Sequence, residues 1–203
     1  MTGKIIMPNG GTKMKKRYVF VAASLLFLFT GVIVAYQHFS KQEPEVINAA
    51  ASYVTDIDDP RKLSGFTSDI FIGKVVEKSG SNPTGAIPET RFDVQVIETL
   101  KGKAVGQVTV NQQAGYDENG DFFTIDGDRM LIPGKIYLFA TVYDSVHDWY
   151  TLVPNAGDVP LTVKEEVSAS GDGDIVFDES SQKAIEEMKR GIENEIPFEP
   201  GNR

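Results

Sequence analysis

The sequence predicts a mainly β protein: a small barrel or sandwich carrying one C-terminal amphipathic helix, preceded by one membrane-spanning helix. Three observations carry that expectation. From Ser68 onward, short apolar runs of strand-like period recur between turn residues. Towards the C-terminus, Ile185, Met188 and Ile192 return to helical spacing. Near the N-terminus, Tyr18 to Tyr36 runs for 19 residues without a charged side chain.

The N-terminal elements divide at charge. Residues 1–17 form a basic tail with Lys4, Lys13, Lys15, Lys16 and Arg17 and no acidic residue. The run at 18–36 would span roughly 28 Å as a helix, close to the hydrocarbon thickness of a bilayer. Tyr18 and Tyr36 bracket it at the depth where interfacial aromatics sit, and the basic cluster before it places the N-terminus in the cytoplasm. A cleaved signal peptide is the rival reading, since Ile33-Val34-Ala35 is a small-residue site and Ala49-Ala50-Ala51 lies downstream; cleavage near Ala35 would release a secreted chain. Either way the remainder is expected outside the cytoplasm.

Residues 37–63 read as a polar linker followed by a possible short helix over Val46–Val54, with Val46, Ile47, Ala50 and Tyr53 at helical spacing and a stop before Asp59-Pro60. The β-domain is expected over 64–165. Ile70–Val76 is a short apolar run, read as a buried strand. Ser79–Pro88 is rich in Ser, Gly, Asn and Pro and reads as a loop. Phe92, Val94 and Val96 alternate with Arg91, Asp93 and Gln95, and Val108 and Val110 alternate after a turn at Lys101-Gly102. Pro133-Gly134 is another turn, leading to Ile136, Leu138 and Ala140 on one face with Tyr137 and Phe139 on the other. Asp144–Asp148 reads as a hairpin loop into Trp149–Val153. Over 166–203 a loop precedes a helix capped by Ser180 or Ser181, with Glu186 and Arg190 as an i,i+4 pair and Pro197 as a stop.

Three stretches in this order carry a family likeness: Ser68-Asp69-Ile70-Phe71-Ile72-Gly73-Lys74-Val75, then Val96-Ile97-Glu98-Thr99-Leu100-Lys101-Gly102, then Ile132-Pro133-Gly134-Lys135-Ile136-Tyr137-Leu138-Phe139. Their arrangement resembles the netrin-like domain, the OB-type barrel shared with tissue inhibitors of metalloproteinases. In that family a first strand opens with a Ser/Ala-Asp pair, a later strand ends in Lys-Gly, and a Gly-Lys turn leads into a Tyr-Leu-Leu-type strand. The likeness spans residues 64–155 and implies a small OB-like β-barrel. It does not carry over inhibition by zinc chelation, because that uses a free N-terminal cysteine and this chain has no cysteine. A fold supplies no activity by itself.

Composition narrows the function classes. With the five basic residues of the tail set aside, 15 Lys and Arg face 29 Asp and Glu, a net charge of −14 over residues 18–203. Such a surface repels phosphate backbones, so nucleic acid is not an expected partner. The lack of cysteine removes disulfides, thiolate zinc sites and cysteine nucleophiles, and fits a bacterial exported domain that does not rely on oxidative folding. No phosphate loop follows a strand, and no cofactor is expected.

The best metal pattern is Asp117, Asn119 and Asp121 with Asp128, at positions 1, 3, 5 and 12 of a calcium loop. Phe122 stands at position 6, where such a loop needs Gly, so the competing reading is a hairpin turn at Asn119-Gly120 with both residues at positive φ. Ser145, His147 and Asp148 lie too close in sequence for a catalytic triad. Tyr143, Trp149 and Tyr150, with Phe122 and Phe123 nearby, are the candidates for a binding face, against a role in cross-strand packing.

The functional expectation is a membrane-anchored extracytoplasmic module that binds a protein or another envelope component without catalysis. The alternatives are an envelope hydrolase using carboxylates that spacing alone does not single out, and a calcium-responsive envelope protein.

Overall fold

The computed structural model describes residues 44–164 and 175–199. The expected membrane helix at Tyr18–Tyr36 lies outside them; among the described residues no helix is long and apolar enough to cross a membrane. The described residues are mainly β, with two sheets and two helices among them.

The larger sheet contains β2 (Asp69–Asn82), β3 (Glu89–Lys101), β4 (Gln107–Gln112), β7 (Ile136–Asp144), β8 (Trp149–Leu152) and β9 (Asp158–Leu161). Its hydrogen-bonded neighbours run β2–β3–β4–β8–β7, and β7 pairs back onto β2. The β4–β8 pairing is parallel, and the other links of this circuit are antiparallel.

Alternation along these strands sorts two cores. Phe71, Val75, Phe92, Val94, Val110, Tyr137, Phe139 and Leu152 turn toward one another in the first. Ile70 and Ile72 of β2, with Leu138 and Ala140 of β7, turn the other way and pack under the helices with Leu63, Ile185 and Met188. Burial on both faces is why β2 and β7 read as near-continuous apolar runs while β3 alternates. The two-faced reading of Ile136–Ala140 is borne out residue by residue.

Helix α1 (Pro60–Phe66) starts where the sequence reading placed a stop. Asp59 is its N-cap, accepting from the Arg61 N–H at 3.0 Å, and Pro60 fills the first turn, where a missing N–H costs nothing. Asp-Pro here opens a helix instead of closing one. The expected helix at Val46–Val54 is corrected as well. Residues Val46–Ala49 form β1, which pairs in parallel with β6 (Phe122–Ile125) in a three-stranded sheet completed by β5 (Gly115–Tyr116). Four ladder partners on β6 outweigh a weak helical spacing in β-branched residues.

Smaller corrections follow the same logic. Ser79–Asn82 belongs to β2, so the loop before β3 begins only at Pro83. Helix α2 (Glu179–Glu193) is capped by Asp178, which accepts from the Ser181 N–H at 2.8 Å; Ser181 is instead buried, with its Oγ accepting from the Thr162 N–H. The i,i+4 ion pair that forms on it is Lys183–Glu187 at 3.8 Å, not Glu186–Arg190. Gly191 is buried against Pro60, whose backbone would lie 2.8 Å from an added Cβ.

Candidate functional site

The aromatic end of the β7–β8 hairpin gathers the most unusual side chains. The hairpin turns at Asp144–Asp148 as expected. Asp144 Oδ1 accepts from the Val146 N–H at 2.8 Å, the Asp148 N–H donates to the Asp144 carbonyl at 2.9 Å, and Asp148 takes φ 57°. Asp residues tolerate that left-handed conformation better than most.

The three expected binding aromatics do not share one face. Tyr143 and Tyr150 are cross-strand partners with ring centroids 5.0 Å apart, and Tyr150 also reaches Phe71 at 5.8 Å. This pair covers the end of the first core, and the Tyr143 hydroxyl donates to Asp148 Oδ1 at 2.7 Å. That bond, followed by partial burial, raises the Tyr143 pKa. Trp149 points to the opposite face by strand alternation.

On that opposite face the His147 ring lies flat against Trp149, with centroids 4.4 Å apart and planes 8° from parallel. His147 Nδ1 sits 2.7 Å from Asp144 Oδ2, which fixes the imidazole. The same contact, helped by the Val146 N–H, holds the Asp144 carboxyl below the usual range. Arg91 of β3 places its guanidinium carbon 5.4 Å from the Trp149 centroid, a cation–π distance. The chemistry of the Ser145, His147 and Asp148 trio is thereby redirected: the partner of His147 is Asp144, and Asp148 serves Tyr143.

A groove of about 600 Å³ adjoins the hairpin. Val54, Phe66, Val142 and Leu152 give it apolar walls, and Ser52 and Ser145 line it as well.

A second cavity, of about 500 Å³, brings Asp128 and Asp158 together with Lys135, Arg129 and Tyr137. Burial, then the neighbouring Asp128 charge, pushes Asp158 up to about 7. Burial also raises Asp128, against the Gln112 amide and the Arg129 N–H that favour its charged form. Sequence reasoning missed Asp158, because its raised pKa depends on two strands and a loop that meet only in the fold.

The calcium candidates are engaged elsewhere. Asp117 Oδ1 accepts from the Asn119 N–H at 2.8 Å and from the Asp121 N–H at 2.9 Å. Although partial desolvation pushes its carboxyl up, those N–H groups hold it below the usual range. Asp121 Oδ1 accepts from the Glu45 N–H at 3.0 Å, and Asp128 faces the second cavity. Among the described residues no three Asp, Glu or His side chains gather in a metal-binding group. The turn itself differs from the expected two-residue form. The Gly120 N–H donates to the Asp117 carbonyl, the Asp117 N–H donates to the Asp121 carbonyl, and Gly120 alone takes positive φ, at 89°. This is a three-residue loop ending in a left-handed glycine.

No protein-family model and no curated protein sequence matches the chain.

Proposed function

We propose that this chain is a membrane-anchored, extracytoplasmic binding module of the cell envelope, built on a netrin-like OB-type barrel and working without catalysis through the β7–β8 hairpin. The circuit β2–β3–β4–β8–β7–β2 supports the barrel, since five strands linked in a ring with one parallel pair match a small Greek-key barrel. The observation that carries the binding role is the rigid, half-exposed cluster of Arg91, Trp149 and His147 beside a groove, with Asp144 belonging to both. Aromatic and Arg side chains held in place before binding lose little entropy on contact. Anchoring through Tyr18–Tyr36 rests on the uncharged run and the basic tail before it.

Two measurements test this reading. A topology reporter fused after Arg203 is expected to be active only outside the cytoplasm; cytoplasmic activity refutes the orientation. A photo-crosslinker at Ser145 in cells is expected to capture an envelope component that the same group at Lys183, on the exposed face of α2, does not. Equal or absent capture at both positions refutes the hairpin as the binding end.

A second reading has one specific observation in its favour. A carboxyl pushed to about 7, beside a second carboxylate in a cavity, is what a hydrolase general acid requires. Turnover of an ester, peptide or glycoside by the full chain, abolished by Asp158→Asn, would establish it over the non-enzymatic reading.

A further inference from the structure

We propose that the Arg91–Trp149–His147 cluster is a subsite for an acidic saccharide, a sugar ring bearing an isolated carboxylate or phosphate. The proposal rests on the binding-module reading and names the class of ligand for its site.

The argument starts from Arg91. In a chain with 29 acidic residues, its guanidinium makes no hydrogen bond or ion pair among the described residues. It is half-buried and held in place nevertheless: Gly80 lies directly across the β2–β3 ladder, where a Cβ would come within 3.0 Å of Nε and Nη2, and Trp149 lies on its other contact at 5.4 Å. A planar fork of five unused donors, fixed before any ligand arrives, is suited to the two oxygens of a carboxylate or phosphate. Its carbon-bound surface is spent on the indole, so its donors remain.

The surroundings select what carries the anion. Arg91, Asp93 and Gln95 share the face of β3 that points away from Phe92 and Val94. On this face Asp93 accepts from the Gln107 amide at 3.0 Å. Asn111 stands opposite Arg91 on β4 and beside Thr151 on β8, and is itself buried. The Asp93 carboxylate, the amide oxygens of Gln95 and Gln107 and the Thr151 hydroxyl lie along this face as partners for sugar hydroxyls. With the indole engaged by His147 and Arg91, the exposed His147 ring offers the flat surface that the C–H face of a sugar needs. Neighbouring Asp93, Asp144 and Asp148 oppose a dense polyanion, so the acid groups of the ligand must be isolated along the chain.

Trp149 is the only tryptophan in the protein, so its emission reports this site alone. The test titrates the full chain in detergent with a glucuronate-containing tetrasaccharide, the same tetrasaccharide with its carboxyls reduced, a tetrasaccharide bearing one phosphate monoester, and, as a ring-less polyanion, an oligomer of glycerol phosphate. The expected result is a saturable change in Trp149 emission with the uronate, the phosphorylated sugar or both, about tenfold weaker for Arg91→Gln. Arg91→Lys keeps the charge but loses the fork, and is expected to bind more weakly than wild type with an unchanged melting temperature. For a uronate response, the carboxyl-reduced sugar is also expected to bind about tenfold more weakly. A response confined to the phosphorylated sugar assigns phosphate as the anion within the same proposal, whereas a response confined to the ring-less glycerol phosphate oligomer overturns the saccharide class. No saturable response to either acidic sugar, or a response that neither Arg91 variant weakens, overturns it. If Ser145 still crosslinks in cells after that result, the ligand class fails and the binding module stands; if it does not, both fail.

Discussion

Asp69 and Gly102 hold one turn between them. Asp69 Oδ1 accepts from the N–H groups of Lys103 at 2.5 Å and Ala104 at 3.1 Å, and a Cβ on Gly102 would fall 2.1 Å from the same oxygen. Gly102 also takes φ 89°, where a side chain is strained. The Ser-Asp at the start of β2 and the Lys-Gly at the end of β3 are therefore one feature: a buried carboxylate satisfying the backbone of the turn that the glycine permits. Lys101 extends the junction, donating to the Ser64 carbonyl and to Glu195 at 2.6 Å each, which holds the Glu195 carboxyl below its usual range.

Gly102→Ala is accordingly expected to destabilise the protein by about 2–4 kcal/mol and Asp69→Ala by about 2–3 kcal/mol. Because both act on one turn, the double variant should fall well short of the sum. Urea melts of the four proteins measure this, and simple additivity would refute the shared-turn account.

Asp158 makes stability depend on pH. Its carboxyl is raised to about 7 in the fold, against about 3.9 for a free Asp, so the folded state holds a proton that the unfolded chain releases. Stability should therefore fall as pH rises from about 4 to 7 and level off above that. Asp128 opposes its ionisation, Lys135 and Arg129 also line the cavity, and Tyr137 is neutral throughout this range. Asp158→Asn should remove this part of the slope and stabilise the protein at pH 8 by roughly 2 kcal/mol after allowance for solvent screening. Melting temperatures across pH 4–8 decide it; an unchanged slope in the variant would refute the burial of that charge.

Gly191 separates helix propensity from packing. In isolation Gly→Ala within a helix gains about 1 kcal/mol. Here the added methyl meets Pro60 at 2.8 Å, so Gly191→Ala should lower the melting temperature and loosen α1 against α2. A rise instead would show that the two helices separate readily.

Gly120→Val should cost roughly 1–2 kcal/mol, all of it conformational, because nothing lies within 4 Å of an added Cβ. Asn119→Ala should cost less, since Asn119 lies outside the positive-φ set. Melts in calcium and in chelator are expected to coincide for wild type. A calcium-dependent gain lost in Asp117→Asn would reinstate the metal reading.

What the sequence determined by itself is local or periodic. Two-residue alternation in Phe92–Val96 and Ile136–Ala140, helical spacing in Ile185–Ile192, and turn chemistry at Lys101-Gly102 and Pro133-Gly134 each follow from a few neighbouring residues, and each survives in the fold. Only tertiary structure decided the rest. Val46–Ala49 became a strand because β6 supplied a ladder 76 residues away, and no local pattern records that partner. Trp149 and Tyr150 are adjacent in sequence but separated by the pleat, whereas Arg91, 58 residues before Trp149, is brought over its ring by the β3–β4–β8 order. Asp158 is one of 29 acidic residues until burial beside Asp128 shifts its proton affinity. Charge, polarity and period belong to the chain; which charges lose their water, and which face a side chain shares, belong to the packing.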